Sequence, residues 1–127
     1  MTAYLDMGQL VAAARVALRA EPEVASRQAL LRCVAEPAAM AGAVELYPTL
    51  ADKAAALLVA VLKLHRPFVD GNKRAGFVAA ALLVNVNGHR LDMPVPAASA
   101  LIDKVDYGGL VEPTEVAEVL APHIQPI

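Results

Sequence analysis

The stretch HRPFVDGNKRAGFVAAALLV, residues 65–84, decides the fold of this chain. Its second half is apolar on every face of a helix, and such a helix belongs where other elements cover it on all sides. Its first half contains Pro67, which disfavours helical geometry at the preceding residue, and Gly71, a residue common in turns. We therefore predict a polar loop over residues 67–72 that leads into a buried helix at the centre of the domain.

Amphipathic helices are predicted before and after this central helix. Apolar residues recur at helical spacing, and Asp6, Ser26 and Thr49 stand where a capping side chain is expected. Gln9, three residues after Asp6, completes the spacing of a capping box. The predicted helices span residues 6–20, 26–35, 49–65, 75–86, 97–105 and 114–120. This pattern predicts an all-α fold, one domain over residues 1–127 with about six helices around the central buried one.

Composition and charge argue against several classes of protein. Of the 127 residues, 57% are hydrophobic and 19% charged, which fits one compact domain rather than a disordered chain. The net charge is −2 and the 11 basic residues are scattered, a poor footprint for direct nucleic-acid binding. No apolar stretch reaches the ~20 residues of a membrane span, and residues 1–9 lack a secretory pattern. Cys33 is the single cysteine, so we expect a buried thiol and a cytoplasmic protein.

The loop and the start of the central helix form a candidate anion site. The backbone N–H groups of the first helical turn have no partner inside the helix, and the helix dipole adds positive potential there. Gly71 would let a ligand approach the backbone without a side chain in the way. Lys73 and Arg74 place two cations at the positive end of a helix, an arrangement that makes sense if an anion binds there.

Three further residues of this segment are assigned from their chemistry. Asp70 is an oxygen donor that could hold Mg²⁺ against phosphate oxygens. Asn72 could bridge the loop and a phosphate, and Phe68 would anchor the loop in the core. Asp-Gly and Asn-Lys are also ordinary turn pairs, and Lys73 and Arg74 after a turn would also suit a solvated position. Their joint occurrence between two helices favours a site for nucleotide phosphates.

The segment from Pro67 to Arg74 resembles the signature loop of the Fic/Doc family, whose pattern is His-x-Phe-x-Asp/Glu-Gly/Ala-Asn-Gly/Lys-Arg. Lys73 stands where the AMP-transferring Fic branch has glycine, and lysine there marks the Doc branch, the toxins of toxin–antitoxin pairs. The resemblance extends to four other parts of the chain, namely the Tyr4-Leu5 start, the Leu46-Tyr47-Pro48 segment, the helix around Lys53 and the Asn87-Gly88 stop.

The resemblance implies an activity and a role for each loop residue. Doc-type proteins transfer the terminal phosphate of ATP to a threonine hydroxyl of translation elongation factor Tu, and a cognate Phd-like antitoxin neutralises them by folding into a groove on the toxin. ATP and Mg²⁺ would be the cofactors. Asp70 would hold Mg²⁺ or orient the loop, and Gly71, Asn72, Lys73 and Arg74 would hold phosphates. Such a set suits phosphoryl transfer, which depends mainly on positioning, charge neutralisation and a nearby base.

One position departs from the family pattern. The family histidine, which takes the proton of the attacking hydroxyl, lies four residues before the acidic residue, and Arg66 occupies that position. Arginine stays protonated at neutral pH and does not act as a base. His65 is adjacent, but one residue on a helix is a rotation of roughly 100°. The candidate catalytic residues are therefore His65, Arg66 and Asp70.

Three readings of Arg66 stay open. In the first, Arg66 replaces the base and leaves a binding protein with little activity. In the second, the end of the helix adjusts so that His65 reaches the site. In the third, Arg66 is an inactivating substitution in a toxin that is hard to express. The first and third are favoured over the second. AMP transfer is a further alternative, which Lys73 disfavours because its side chain fills space that a glycine would leave for the nucleotide. A purely structural helical domain is the remaining possibility.

Overall fold

The computed structural model describes residues 1–110 and 112–127, and within them the fold is built mainly from helices. Six α-helices follow one another as α1 (Met7–Leu18), α2 (Arg27–Ala35), α3 (Leu50–Val59), α4 (Asn72–Val86), α5 (Val95–Asp106) and α6 (Pro113–Leu120). Four short strands, β1 (Met40–Ala41), β2 (Val44–Glu45), β3 (His89–Leu91) and β4 (Ile124–Pro126), form two antiparallel pairs. The prediction of an all-α fold with about six helices is confirmed.

The starts of α1, α2 and α3 carry the capping side chains that the sequence indicates. Asp6 accepts a hydrogen bond from the Gln9 backbone N–H, and the Gln9 side chain accepts one from the Asp6 N–H, so α1 begins in a complete capping box. Ser26 caps α2. Thr49 caps α3 in a second box. These starts were predictable because the groups that bond to each other lie within three residues along the chain.

α4 is the central element, as predicted. It packs against α1 on one side and α3 on the other. Its fully buried positions after the first turn are Ala75, Gly76, Ala79, Ala80, Leu83 and Val84. Cover is not complete, because Val78, Ala81 and Leu82 are only half-buried and line an open apolar groove beside α1. The expectation of a helix covered on all sides is thus wrong for this one stripe.

Two core clusters meet along α4. One joins α1, α2, α3 and the loop, and includes Leu10, Cys33 and Phe68. The other joins α3, α4, α5 and α6, and includes Leu58 and Leu120. The thiol of Cys33 is fully buried, as expected. Since the loop residue Phe68 belongs to the first cluster, the position of the loop is fixed by the core rather than by solvent-exposed contacts alone.

Two connections differ from the sequence-based expectation. The helix predicted to run to about residue 65 ends in a π-helical turn, Ala60–Leu64, in which the His65 N–H donates to the Ala60 carbonyl. α4 begins at Asn72 rather than 75, because Gly71 adopts a left-handed φ of 81° and its carbonyl accepts the Ala75 N–H. The loop therefore spans residues 65–71, so it begins two residues earlier and ends one residue earlier than predicted.

The short strands occupy segments where period-2 alternation is too weak to predict them. Residues 38–48 contain the β1–β2 hairpin, which turns at Gly42 with a φ of 62°. β3 and β4 pair the segment after α4 with the end of the chain, from His89 opposite Pro126 to Leu91 opposite Ile124. No helix among the described residues is long and apolar enough to cross a membrane.

Candidate functional site

The loop between the π turn and α4 is tied to the segment that precedes α2. Phe68 is buried and pairs with Val24 in an isolated antiparallel bridge. The Val69 N–H donates to the Glu23 carbonyl at 2.9 Å, and the Ala25 N–H donates to the Pro67 carbonyl at 2.8 Å. Backbone hydrogen bonds on both sides of Phe68 therefore fix the conformation of the loop that leads into α4.

Asn72 has a more specific role than the sequence indicated. Its Oδ1 accepts the Phe68 N–H at 3.0 Å and its Nδ2 donates to the Phe68 carbonyl at 2.8 Å. The side chain is buried, with 3% of its surface exposed. The amide group therefore closes the loop on itself, and a contact between Asn72 and a phosphate would use its backbone N–H rather than its side chain.

Six of the seven candidate site residues line one cavity of about 250 Å³ at the start of α4. They are Arg66, Asp70, Gly71, Asn72, Lys73 and Arg74. His65 is not among the lining residues. A second cavity of about 270 Å³ shares Asp70 and Arg74 with the first and continues along Glu21 and Glu23. The first cavity is small for a whole nucleotide and suits phosphate groups.

The start of α4 offers backbone donors to this cavity. Gly71 is the N-cap and no side chain caps the helix. A side chain at residue 71 would strike Leu18, since a Cβ built there lies 2.2 Å from the Leu18 Cδ2. Asp70 is exposed and its Oδ1 accepts the Gly71 N–H at 2.8 Å. Glycine at residue 71 therefore makes room for Leu18 rather than for a ligand, contrary to the expectation from the sequence. The first-turn amides of α4 lie beside the cavity, an arrangement that anions favour.

Lys73 contacts two residues that lie outside the loop motif. Its Nζ lies 3.0 Å from Oδ2 of Asp106 and 5.6 Å from the centroid of the Tyr107 ring. The hydrogen bond between Lys73 and Asp106 raises the pKa of Lys73 and lowers the pKa of Asp106. One sequence signal could have indicated Asp106: it ends α5 with a negative charge where the helix dipole disfavours one.

Arg66 occupies the place of the expected base in an unusual backbone conformation. Its φ is +43°, a left-handed value that is uncommon outside glycine. Its Nη1 donates to the Leu62 carbonyl at 3.0 Å and lies 4.0 Å from Oδ1 of Asp106. His65 ends the π turn and is half-buried. Although the helix end is locally adjusted, Arg66 and not His65 faces the cavity, so the role of His65 as a base stays a prediction.

The donor set at Asp70 fits a metal that is held mainly by a ligand. No group of three metal-binding side chains occurs in the described part of the chain. Magnesium is often bound through one or two carboxylates together with substrate phosphates and water. The single Asp70 carboxylate beside a cationic cavity therefore suits Mg²⁺ that arrives with phosphates, and does not suit a metal held by protein alone.

Comparison with known proteins decides which family this arrangement represents. A family model described as "Fic/DOC family" matches residues 4–84, a range that contains α1 to α3, the loop and most of α4. The chain belongs to the Fic/Doc family. It is also similar to the "Toxin Doc" of Mycolicibacterium smegmatis, with 39% identity over 107 residues, which cover 83% of this chain and 82% of the relative. This similarity supports the Doc branch that Lys73 indicated.

Proposed function

We propose that this protein is a Doc-like toxin of a toxin–antitoxin pair, built to transfer the γ-phosphate of ATP to a Ser or Thr hydroxyl of a translation factor. The observation that carries the proposal is the cavity at the start of α4, which six loop and helix residues of the family motif line together. Elongation factor Tu is the target that the family resemblance implies. The protein would then act in the cytoplasm and block translation.

The residues of the cavity divide the work of phosphoryl transfer among themselves. The backbone N–H groups of Lys73 and Arg74, with their side-chain cations, would bind phosphate oxygens and orient them. Asp70 would bind Mg²⁺ together with these oxygens. When bound, Mg-ATP supplies the phosphoryl group and a divalent charge that neutralises it. The protein would therefore position the phosphates and balance their charge at the N-terminus of α4.

Transfer also needs an acceptor for the proton of the attacking hydroxyl. The hydroxyl oxygen forms a bond to the γ-phosphorus, the bond to the bridging oxygen breaks, ADP leaves with that electron pair, and the proton goes to a base. Arg66 has no lone pair to accept it at neutral pH. The loss of a general base typically costs ~10²–10⁴-fold in rate. We therefore expect this sequence to bind Mg-ATP and to transfer phosphate slowly.

Arg66→His tests the proposal directly. Histidine tolerates a left-handed backbone better than most residues, so the φ of +43° at this position does not oppose the change. We expect Arg66→His to arrest bacterial growth on induction and to label purified elongation factor from [γ-³²P]ATP, with a rate about 10²-fold or more above the parent. Arg66→Ala is the matched control, since it removes the guanidinium without adding a base. A folded Arg66→His protein that neither arrests growth nor transfers label would refute the proposed enzyme.

The position of the radiolabel separates the two transfer reactions. Label from [γ-³²P]ATP on the target indicates phosphorylation, whereas label from [α-³²P]ATP indicates AMP transfer.

A non-catalytic member of the family is the second candidate, because Arg66 faces the cavity in the place of the base. That candidate predicts binding of Mg-ATP or of the antitoxin with no label on any target from either nucleotide, in Arg66→His as in the parent.

The proposed antitoxin needs a surface, and the open groove beside α4 is suited to one. The groove measures about 490 Å³ and lies between α1, α4 and β3. Its lining is mainly apolar: Ala12, Ala13, Val16, Val78, Ala81, Leu82, Asn85, Arg90 and Leu91. An amphipathic segment of a Phd-like antitoxin would bury these side chains. We expect Val16→Asp to abolish capture of the co-expressed antitoxin.

A matched control for this change is Val95→Asp. Val16 is 70% exposed and Val95 is 77% exposed, so both substitutions add a carboxylate at an exposed valine of a helix. Val95 begins α5 and does not line the groove. Loss of antitoxin binding by Val16→Asp alone supports the groove, and equal retention by both variants would place the antitoxin elsewhere.

A further inference from the structure

Two charges that are each unfavourable for their own helix meet at the cavity. Lys73 lies in the first turn of α4, where the helix dipole disfavours a cation, and Asp106 ends α5, where the dipole disfavours an anion. Their side chains form an ion pair of 3.0 Å. Each charge therefore offsets the unfavourable position of the other, and Lys73 has an anionic partner within the protein.

Asp106 also contacts the other side of the site. Its backbone carbonyl accepts a hydrogen bond of 2.8 Å from Nζ of Lys63, and its Oδ1 lies 4.0 Å from Nη1 of Arg66. Cations from the π turn, the loop and α4 thus converge on one residue. The Asp106 side chain is 19% exposed, so water screens these contacts only in part.

We propose that Asp106 is a positioning residue that acts through Lys73, and that its carboxylate takes the place of a bound anion on the Lys73 ammonium so that a polyphosphate must compete with it. The inference rests on the proposed function, in which Lys73 binds phosphate. It adds a residue from α5 to a site otherwise made of the loop and the start of α4.

The consequence is that Asp106 weakens the binding of anions at the cavity. A ligand phosphate must share Lys73 with a carboxylate of the same sign or displace it, and either event costs electrostatic free energy. Lys73 would stay at the rim without that charge, because its Nζ also lies over the Tyr107 ring. Asp106→Asn keeps an oxygen that can accept a hydrogen bond and removes only the negative charge.

Calorimetric titration of the full-length protein with inorganic triphosphate tests this inference. We expect Asp106→Asn to bind triphosphate about tenfold more tightly than the parent at low salt, with the difference shrinking as salt is added. Asp106→Glu keeps the charge and is expected to bind within about threefold of the parent. Asp103→Asn is the matched control, since it removes the same charge from an exposed position one turn earlier on α5, and its effect is expected to be smaller than threefold.

The outcomes distinguish this inference from the proposed function. If the parent binds triphosphate and Asp106→Asn binds no more tightly, the inference is overturned and the proposed phosphate site stands. If neither protein binds triphosphate, the proposed site fails and the inference fails with it. A second measurement is the ¹³C NMR titration of the Lys73 side chain: a pKa that does not fall in folded Asp106→Asn overturns the ion pair on which the inference depends.

Discussion

The side-chain amide of Asn72 and the backbone of Phe68 form a closed pair of hydrogen bonds, 3.0 Å from the Phe68 N–H to Oδ1 and 2.8 Å from Nδ2 to the Phe68 carbonyl. Both residues are buried. The first residue of α4 thus fixes the loop that precedes it, and the aromatic ring of Phe68 fixes the same loop to the core. The positions of the residues that line the cavity therefore depend on these two hydrogen bonds.

Asn72→Ala should destabilise the fold more than the same substitution at an exposed asparagine. The change leaves the N–H and carbonyl of Phe68 buried without a partner, which we expect to lower the free energy of unfolding by about 2–4 kcal/mol. Urea denaturation followed by circular dichroism measures it. Asn85→Ala, at an exposed position of the same helix, is the control and should be neutral or slightly stabilising. Equal midpoints for the two variants would contradict the role assigned to Asn72.

Gly71→Ala should cost stability for two reasons that a second glycine separates. Residue 71 has a φ of 81°, and a Cβ there would lie 2.2 Å from Cδ2 of Leu18. Gly88 has a φ of 80° with open space around it, so Gly88→Ala measures the backbone strain alone, about 1 kcal/mol. We expect Gly71→Ala to lose at least about 1 kcal/mol more than Gly88→Ala. In the background Leu18→Ala the excess should largely disappear, and an excess that persists would exclude the clash as its cause.

Lys53 should stabilise the β1–β2 hairpin from within α3. Its side chain is buried, and Nζ donates to Oε1 of Glu45 at 3.0 Å and to the Tyr47 carbonyl. Burial lowers the pKa of Lys53, but the bonded Glu45 carboxylate and the neighbouring Tyr4 side chain outweigh this effect and raise it overall. Lys53→Met should therefore lower the free energy of unfolding by about 1–3 kcal/mol and speed amide exchange in the hairpin. Lys104→Met, at an exposed position of α5, should change neither quantity.

Cys33 should make the protein sensitive to alkaline pH. Two causes raise the pKa of the Cys33 thiol from 9.0 to about 12: burial has the larger effect, and the Glu36 carboxylate has the smaller one. The unfolded chain therefore releases this proton at a lower pH than the folded protein does. The protonated thiol makes its full contribution to the free energy of unfolding well below pH 9, and this contribution is lost as the pH rises toward the pKa of the folded state. By pH 10 the loss amounts to about 1.4 kcal/mol. Denaturation at pH 8 and pH 10 should show a smaller decline for Cys33→Ala than for the parent; parallel declines would contradict a buried, protonated thiol.

Helix starts could be read from the sequence because they depend on neighbours in the chain. The capping boxes at Asp6 and Thr49 join groups three residues apart, and both are present. The apolar run before Asn87 likewise predicted a central helix, since a helix that is apolar on most faces is favourable where other elements cover it. The hairpin at residues 40–45 was not predictable, because its strands are two residues each and exposed, which leaves no alternation to detect.

The candidate site was predictable as a segment and not as a geometry. Residues 66 and 70–74 line one cavity, as their spacing indicated. The spacing could not decide whether His65 or Arg66 faces that cavity, because the π turn and the left-handed φ of Arg66 set the direction of each side chain. Nor could it show that both polar atoms of the Asn72 amide bond to Phe68 within the loop.

The sequence by itself determined the all-helical architecture, the central apolar helix and the polar loop that leads into it, because hydrogen bonds and periodicities within a few residues encode these features. Only the tertiary structure decided that Lys73 pairs with Asp106, a residue 33 positions away at the end of another helix. Such a pair depends on how α4 and α5 pack. Packing sums many weak contacts between distant parts of the chain, and a local pattern of residues does not record that sum.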